Sequence, residues 1–106
     1  MSGHIHFSGK VKKIVDKKNT RDMQITLAKK YADYVMEKGY IGINGCSLTI
    51  GKVNAGDFNI HLIPETLDIT NLGQLLKGSL VNIEIDQNTI TVVNTVKKTL
   101  ATKVSG

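Results

Sequence analysis

Apolar and polar residues alternate through much of this chain, and each alternating stretch predicts a β-strand buried on one face. Ile5, Phe7 and Val11 share a parity within residues 4–14, with Gly9 between them as a bulge or bend. After the polar turn Asp16-Lys17-Lys18-Asn19-Thr20, Met23, Ile25 and Leu27 alternate with Asp22, Gln24 and Thr26. A second strand therefore pairs back on the first. Ile41-Gly42-Ile43 and Cys46-Ser47-Leu48-Thr49-Ile50 flank Asn44-Gly45. That dipeptide suits a two-residue type I′ turn, whose central residues both take positive φ. Asn54-Ala55-Gly56-Asp57 turns the chain again, into the strand Phe58–Ile63. The only proline, Pro64, stops that strand and opens a short helical turn, Glu65-Thr66-Leu67. Val81, Ile83 and Ile85 face one way and Asn82, Glu84 and Asp86 the other. Gln87-Asn88 then leads into a last strand, Thr89–Val93.

Two stretches change period. Ala28, Tyr31, Ala32, Val35 and Met36 form an apolar stripe at helical spacing over residues 28–38, and Gly39 suits the left-handed position after the helix. Asn94 to Val104 is predicted as a helix, with Val96, Leu100 and Val104 at spacing four. Short strands joined by hairpin turns, with a few short helices, give an all-β expectation: a small closed six-stranded antiparallel Greek-key barrel with a C-terminal helix. Residues 1–93 form the barrel, and residues 94–106 form a tail that docks on its own barrel or on another subunit.

Composition narrows the functional classes. A chain of 106 residues is one domain, large enough to bury a core without staples. Its single cysteine, Cys46, excludes an internal disulfide and fits a reducing compartment. No apolar run reaches the ~20 residues of a membrane span, and Met1-Ser2-Gly3-His4 has no basic-then-apolar signal pattern. A cytoplasmic protein is expected. The net charge of +5 invites nucleic acid or a phosphorylated ligand. However, the lysines fall in scattered pairs, and five aromatics are too few for a single-strand stacking platform. The lysines read as solvated surface, and a nucleic-acid-binding barrel ranks last.

Several pieces, in order, carry a resemblance. They are Ser2-Gly3-His4-Ile5, Lys38-Gly39-Tyr40-Ile41-Gly42-Ile43, Asn44-Gly45-Cys46-Ser47-Leu48-Thr49, His61-Leu62-Ile63-Pro64-Glu65-Thr66-Leu67, Thr70-Asn71-Leu72-Gly73 and Val81-Asn82-Ile83-Glu84-Ile85-Asp86. Together they resemble the C-terminal lumazine-binding barrel of the riboflavin synthase family (alpha chain). Members of that family carry two similar barrels and then a helix that helps assemble a trimer. Here one barrel's worth of sequence precedes the helix, as in an isolated domain or a truncated gene product. Ser47 marks a second-barrel sequence, since first barrels carry cysteine directly before the Leu-Thr pair. Cys46 lies one place earlier, and Asn44 replaces the aspartate common in second barrels.

The resemblance implies a transferase that dismutates two molecules of 6,7-dimethyl-8-ribityllumazine. One gives a four-carbon unit to the other, yielding riboflavin and 5-amino-6-ribitylamino-pyrimidinedione, with no metal and no redox cofactor. It implies a pocket lined by Gly3, His4, Ile5, Lys38, Ser47, Leu48, Thr49, His61, Leu62, Ile63, Pro64, Glu65 and Thr66. Lys38, Thr49 and Thr66 are candidates for the ribityl chain. His4 is either a base for the acidic methyl group on carbon 7 or a strand-end hydrogen-bond donor. Ser47 either orients a water or satisfies nearby backbone. Asp86 either reaches the partner site or is a solvated turn carboxylate. His61 is expected to contribute backbone, its side chain facing away. His6 has no assigned role, and Cys46 reads as a small packing residue. A single barrel should bind lumazine or riboflavin, form a dimer or trimer, and turn over poorly. The rival reading is a non-enzymatic lumazine or flavin carrier.

Overall fold

The computed structural model describes residues 5–105. Seven strands make one antiparallel sheet: β1 (Ile5–Asp16), β2 (Arg21–Thr26), β3 (Tyr40–Ile43), β4 (Cys46–Thr49), β5 (Val53–Asn54), β6 (Asp57–Leu62) and β7 (Leu80–Ile85). Their spatial order is β4-β3-β7-β1-β2-β6-β5. Helix α1 spans Pro64–Ile69, helix α2 spans Gln87–Ser105, and 3₁₀ turns cover Lys29–Tyr34 and Leu72–Gln74.

The predicted alternation is what builds the core. Met23, Ile25, Phe58, Ile60, Leu62, Val81, Ile83 and Ile85 are each no more than 2% exposed. Each such side chain contributes about 1.5–3 kcal/mol relative to an exposed one. Their sequence neighbours on the same strands face outward. The bend expected at Gly9 falls instead between Val11 and Lys13, where the register with β2 shifts. The shift lets Val11 point inward before it and Ile14 after it. Gly9 is glycine for space: a Cβ there would lie 3.0 Å from Ile25, 3.1 Å from Leu27 and 3.2 Å from Ile83 side chains.

Both hairpin turns form as expected. Asn44 and Gly45 have φ of 49° and 83°, and Ala55 and Gly56 have φ of 51° and 91°. Asn44 also hooks the turn onto the neighbouring strand. Its backbone N–H donates to the Asn82 carbonyl, and its Oδ1 accepts from Asn82 N–H, each at 2.8 Å.

Four further expectations need correction. The sheet has seven strands and is a half-barrel, not a closed six-stranded barrel. Its edge strands β4 and β5 share no ladder, being successive segments of chain linked through Ile50-Gly51-Lys52. The helix over 28–38 is only the 3₁₀ turn Lys29–Tyr34. There Tyr31 stacks on Phe7 with ring centroids 3.9 Å apart, so tertiary packing sets the local shape. Lys38 (φ 66°), not Gly39, takes the left-handed position, with its N–H on the Ile50 carbonyl at 2.9 Å.

The fourth correction concerns Thr89–Val93, which is helix rather than strand. Asp86 Oδ1 accepts the Thr89 N–H at 2.9 Å, and the Asp86 carbonyl accepts the Ile90 N–H at 3.1 Å. This is the arrangement of a helix cap. Ile90 and Val93, three residues apart, are both buried, and this burial outweighs the strand preference of a β-branched run. The helix thus begins at Gln87, before the expected Asn94. It is tied to the 3₁₀ turn by Tyr34 Oη donating to Asn94 Oδ1 (3.3 Å) and by Lys97 Nζ on Asp33 Oδ2 (2.8 Å).

Arg21 is the buried charge that alternation does not reveal. It is 6% exposed, donates from a terminal guanidinium nitrogen to the Leu72 carbonyl at 2.9 Å, and places Nε 3.0 Å from Asp16 Oδ1. The loop around Leu72, itself fully buried, is pinned by that bond.

Candidate functional site

The open side of the sheet is where most predicted site residues meet. Ile50 N–H donates to the Gly39 carbonyl at 2.8 Å, and the Ile50 carbonyl accepts from Lys38. Even-numbered residues of β4 therefore turn their backbone toward β3, and odd-numbered ones turn it away. Gly51, the next odd residue, donates to the Asn59 carbonyl of β6 at 2.7 Å, and Asn59 N–H reaches the Lys52 carbonyl at 3.0 Å. These two bonds join the linker to β6. Beyond them, Ser47 and Thr49 on β4 and His61 on β6 direct backbone N–H and C=O groups into the gap. Among the described residues no backbone hydrogen bond crosses it there. The result is a seam with a polar backbone lip on each side.

The seam is bounded by the expected residues. Ser47 and Thr49 form one lip, with the Leu48 side chain between them packed against the core. His61, Leu62 and Ile63 form the other, Leu62 pointing into the core. Pro64 starts α1 at its first position, and Glu65 and Thr66 follow in its first turn. Lys38 sits at the base, one residue from Gly51 through its bond to Ile50. The His61 side chain points away from the seam, as expected, and its Nδ1 bonds Asp22 Oδ1 on β2. That hydrogen bond, with help from Lys17, holds the Asp22 carboxyl below the usual carboxylate range.

A shallow cavity of about 200 Å3 lies on the outer face of β4, β3 and β7. It brings together Ser47 and Asp86, two residues far apart in sequence, with Tyr40, Gly42 and Glu84. Gly42 pairs with Ser47 on one side and Glu84 on the other, so it separates them without a side chain. A Cβ at Gly42 would stand 3.2 Å from Glu84 Cβ. Tyr40, Gly42 and Glu84 are absent from the sequence-derived site. The cross-strand register is the signal for them, and it needs the pairing of β3 with β7, which the sequence does not state. Asp86 has a structural duty as well, as the cap of α2. Of the remaining site residues, Ile5 pairs with Ile85 at the end of β7, while Gly3 and His4 lie outside the described residues.

The seam and its lips invite comparison with known proteins. The model of the lumazine binding domain matches residues 2–86. Riboflavin synthase of Escherichia coli (strain K12) is 45% identical over 104 residues, which is 97% of this chain and 49% of that protein. Riboflavin synthase of Chlamydia pneumoniae is 49% identical over 74 residues, or 70% of this chain and 37% of that one. Among solved structures, LumP complexed with 6,7-dimethyl-8-(1'-D-ribityl) lumazine superposes with a TM-score of 0.69 at 28% identity, covering 74% of this chain and 43% of LumP. LumP complexed with riboflavin superposes equally well, over 74% of this chain and 42% of LumP. The chain spans about half the length of the curated relatives it matches. With a family model matching residues 2–86 and a relative 45% identical over 97% of its length, the chain belongs to the lumazine binding domain family.

Proposed function

We propose that this chain is the C-terminal lumazine-binding half of a riboflavin synthase, and that it binds 6,7-dimethyl-8-ribityllumazine and riboflavin in the seam between β4 and β6. The observation that carries the reading is the pair of facing backbone lips at Ser47, Thr49 and His61. A pteridinedione presents alternating carbonyl and N–H groups along one edge, and a strand edge presents the same alternation. Leaving such groups buried and unpaired costs about 1–3 kcal/mol each, so pairing selects this heterocycle over an apolar one. Lys38, Thr49 and Thr66 hold the ribityl hydroxyls in this reading.

In the full two-barrel protein, a lumazine in this barrel faces a second one in a neighbouring barrel. One loses a proton from its carbon-7 methyl group, and a four-carbon unit passes between them. His4 supplies or stabilises the proton acceptor, Ser47 orients the water that opens one ring, and Asp86 shares the cavity with Ser47. Assembly through α2 into a trimer, and cytoplasmic location, belong to the same proposal. For this chain alone a dimer or trimer is expected. Among the described residues no helix is long and apolar enough to cross a membrane.

The test is riboflavin titration into the chain, followed by quenching of the ligand's fluorescence, with light scattering on the same sample. Saturation at one riboflavin per chain supports the seam. Absence of binding at millimolar riboflavin, with the protein folded by circular dichroism, overturns it. The likeness to LumP complexes favours a second reading, a carrier that binds the same ligands without turnover. Adding a separately made first barrel decides between them, because an enzyme half then forms riboflavin and a carrier does not.

A further inference from the structure

The outer face of β1, β2 and β6 carries a second concave surface, away from the Ser47 cavity, with a volume of about 690 Å3. Its lining reads as a row across the strands. Lys13 is paired with Gln24, and Gln24 with Asn59, so their side chains stand side by side on the outer face. Asn59 is in turn bonded through its backbone to Lys52 at 3.0 Å. The row therefore has an ammonium at each end and two carboxamides between. Neighbouring strands lie about 4.8 Å apart, so the row is on the order of 15 Å wide, within reach of two four-carbon lysine stems folded inward.

The charge balance of this surface favours an anion. Its one carboxylate, Asp22, is already engaged by His61 Nδ1 and by Lys17 Nζ at 3.7 Å. Asp57, the acid next along β6, is held by Lys12 Nζ at 2.6 Å. Among the described residues no hydrogen bond or ion pair engages the side chains of Lys13, Gln24, Lys52 or Asn59. Four donor-bearing side chains thus converge on a surface whose acids already have partners. The lysines come from separate parts of the chain, which is why the sequence shows only scattered pairs.

We infer that the row Lys13-Gln24-Asn59-Lys52 is a binding site for a small phosphorylated molecule, its phosphate held between the ammonium groups and its polar body read by the carboxamides. Lysine recognises phosphate as a point charge, and carboxamides add direction by donating to its oxygens. The site is separate from the seam, although Gly51 and Asn59 border both.

Pyrophosphate titrated into the full chain at low salt, followed by amide NMR, tests the assignment. Saturable shifts confined to residues near Gln24, Gly51, Lys52 and Asn59 are expected. The double variant Lys13→Gln/Lys52→Gln should weaken that binding at least tenfold. Its thermal unfolding midpoint and its riboflavin titration should match the parent, since neither lysine lines the seam. Shifts spread over all the lysines alike, no saturation, or equal binding by the double variant would each overturn the inference. Failure of riboflavin binding in the parent overturns the seam reading alone.

Discussion

Single side chains set sharp local demands in this fold. Gly9→Ala places a methyl within 3.2 Å of three buried or half-buried side chains at once. It should cost about 1–3 kcal/mol in urea unfolding, the usual cost of overpacking. Arg21→Met keeps the volume but leaves the Leu72 carbonyl without its donor, and a loss of about 1–3 kcal/mol is expected in the same assay. His61→Ala should leave riboflavin affinity within about threefold, because the side chain serves an exposed Asp22 pair and the backbone serves the seam. The carboxyls of Asp22 and Asp57 are both held low, chiefly by hydrogen bonds from His61 and Lys12 respectively. A folded-state pKa below the unfolded value gives stability that is present above the unfolded value, near 3.8, and lost as pH falls through the folded one. The thermal midpoint should therefore drop on acidification below about pH 4, and Asp57→Asn should flatten that drop.

At the scale of elements, Asp86 carries two assignments that one pair of variants separates. Its carboxylate caps α2 and also faces the cavity shared with Ser47. Asp86→Ala should cost about 0.5–2 kcal/mol through the lost cap, whereas Asp86→Asn keeps a capping oxygen and should stay near the parent. A full two-barrel enzyme that loses turnover with asparagine, at unchanged stability, needs the charge and not the cap. The same residue shows where sequence reading ended. Strands β2, β6 and β7 were legible because their alternation is clean, and the β3–β4 hairpin because the Asn44-Gly45 turn names its own geometry. Thr89–Val93 misled because a β-branched run prefers strand locally. Only the cap at Asp86 and the burial of Ile90 and Val93 make it helix, and both are tertiary facts. The stripe at 28–38 misled likewise, its tyrosines being placed by Phe7 and Asn94. Of the stretches that border the seam, 47–49 and 61–66 were readable in order. Tyr40, Gly42 and Glu84 were not, because their place depends on which strands become neighbours.

For the whole molecule, the proposed function gives this half-barrel one ligand site, while the dismutation proposed for the full protein needs two reactants held face to face. Mixing this chain with a first barrel should raise the riboflavin-forming rate over either alone by on the order of 100-fold, since positioning two reactants supplies much of such a rate. Continuous absorbance measurement of lumazine loss checks this. The unlaced stretch between β4 and β6 has a further consequence for the protein without ligand. A row of unpaired N–H and C=O groups is a template for another chain's strand, and natural proteins normally blunt such edges. On the β4 lip, Ser47 and Thr49 are small and uncharged, so neither side chain repels an incoming strand. Ligand-free protein should accordingly self-associate through added β-structure on storage. If the seam binds as proposed, riboflavin should suppress that aggregation in proportion to occupancy, the bound heterocycle acting as a chaperone for the strand edge it covers.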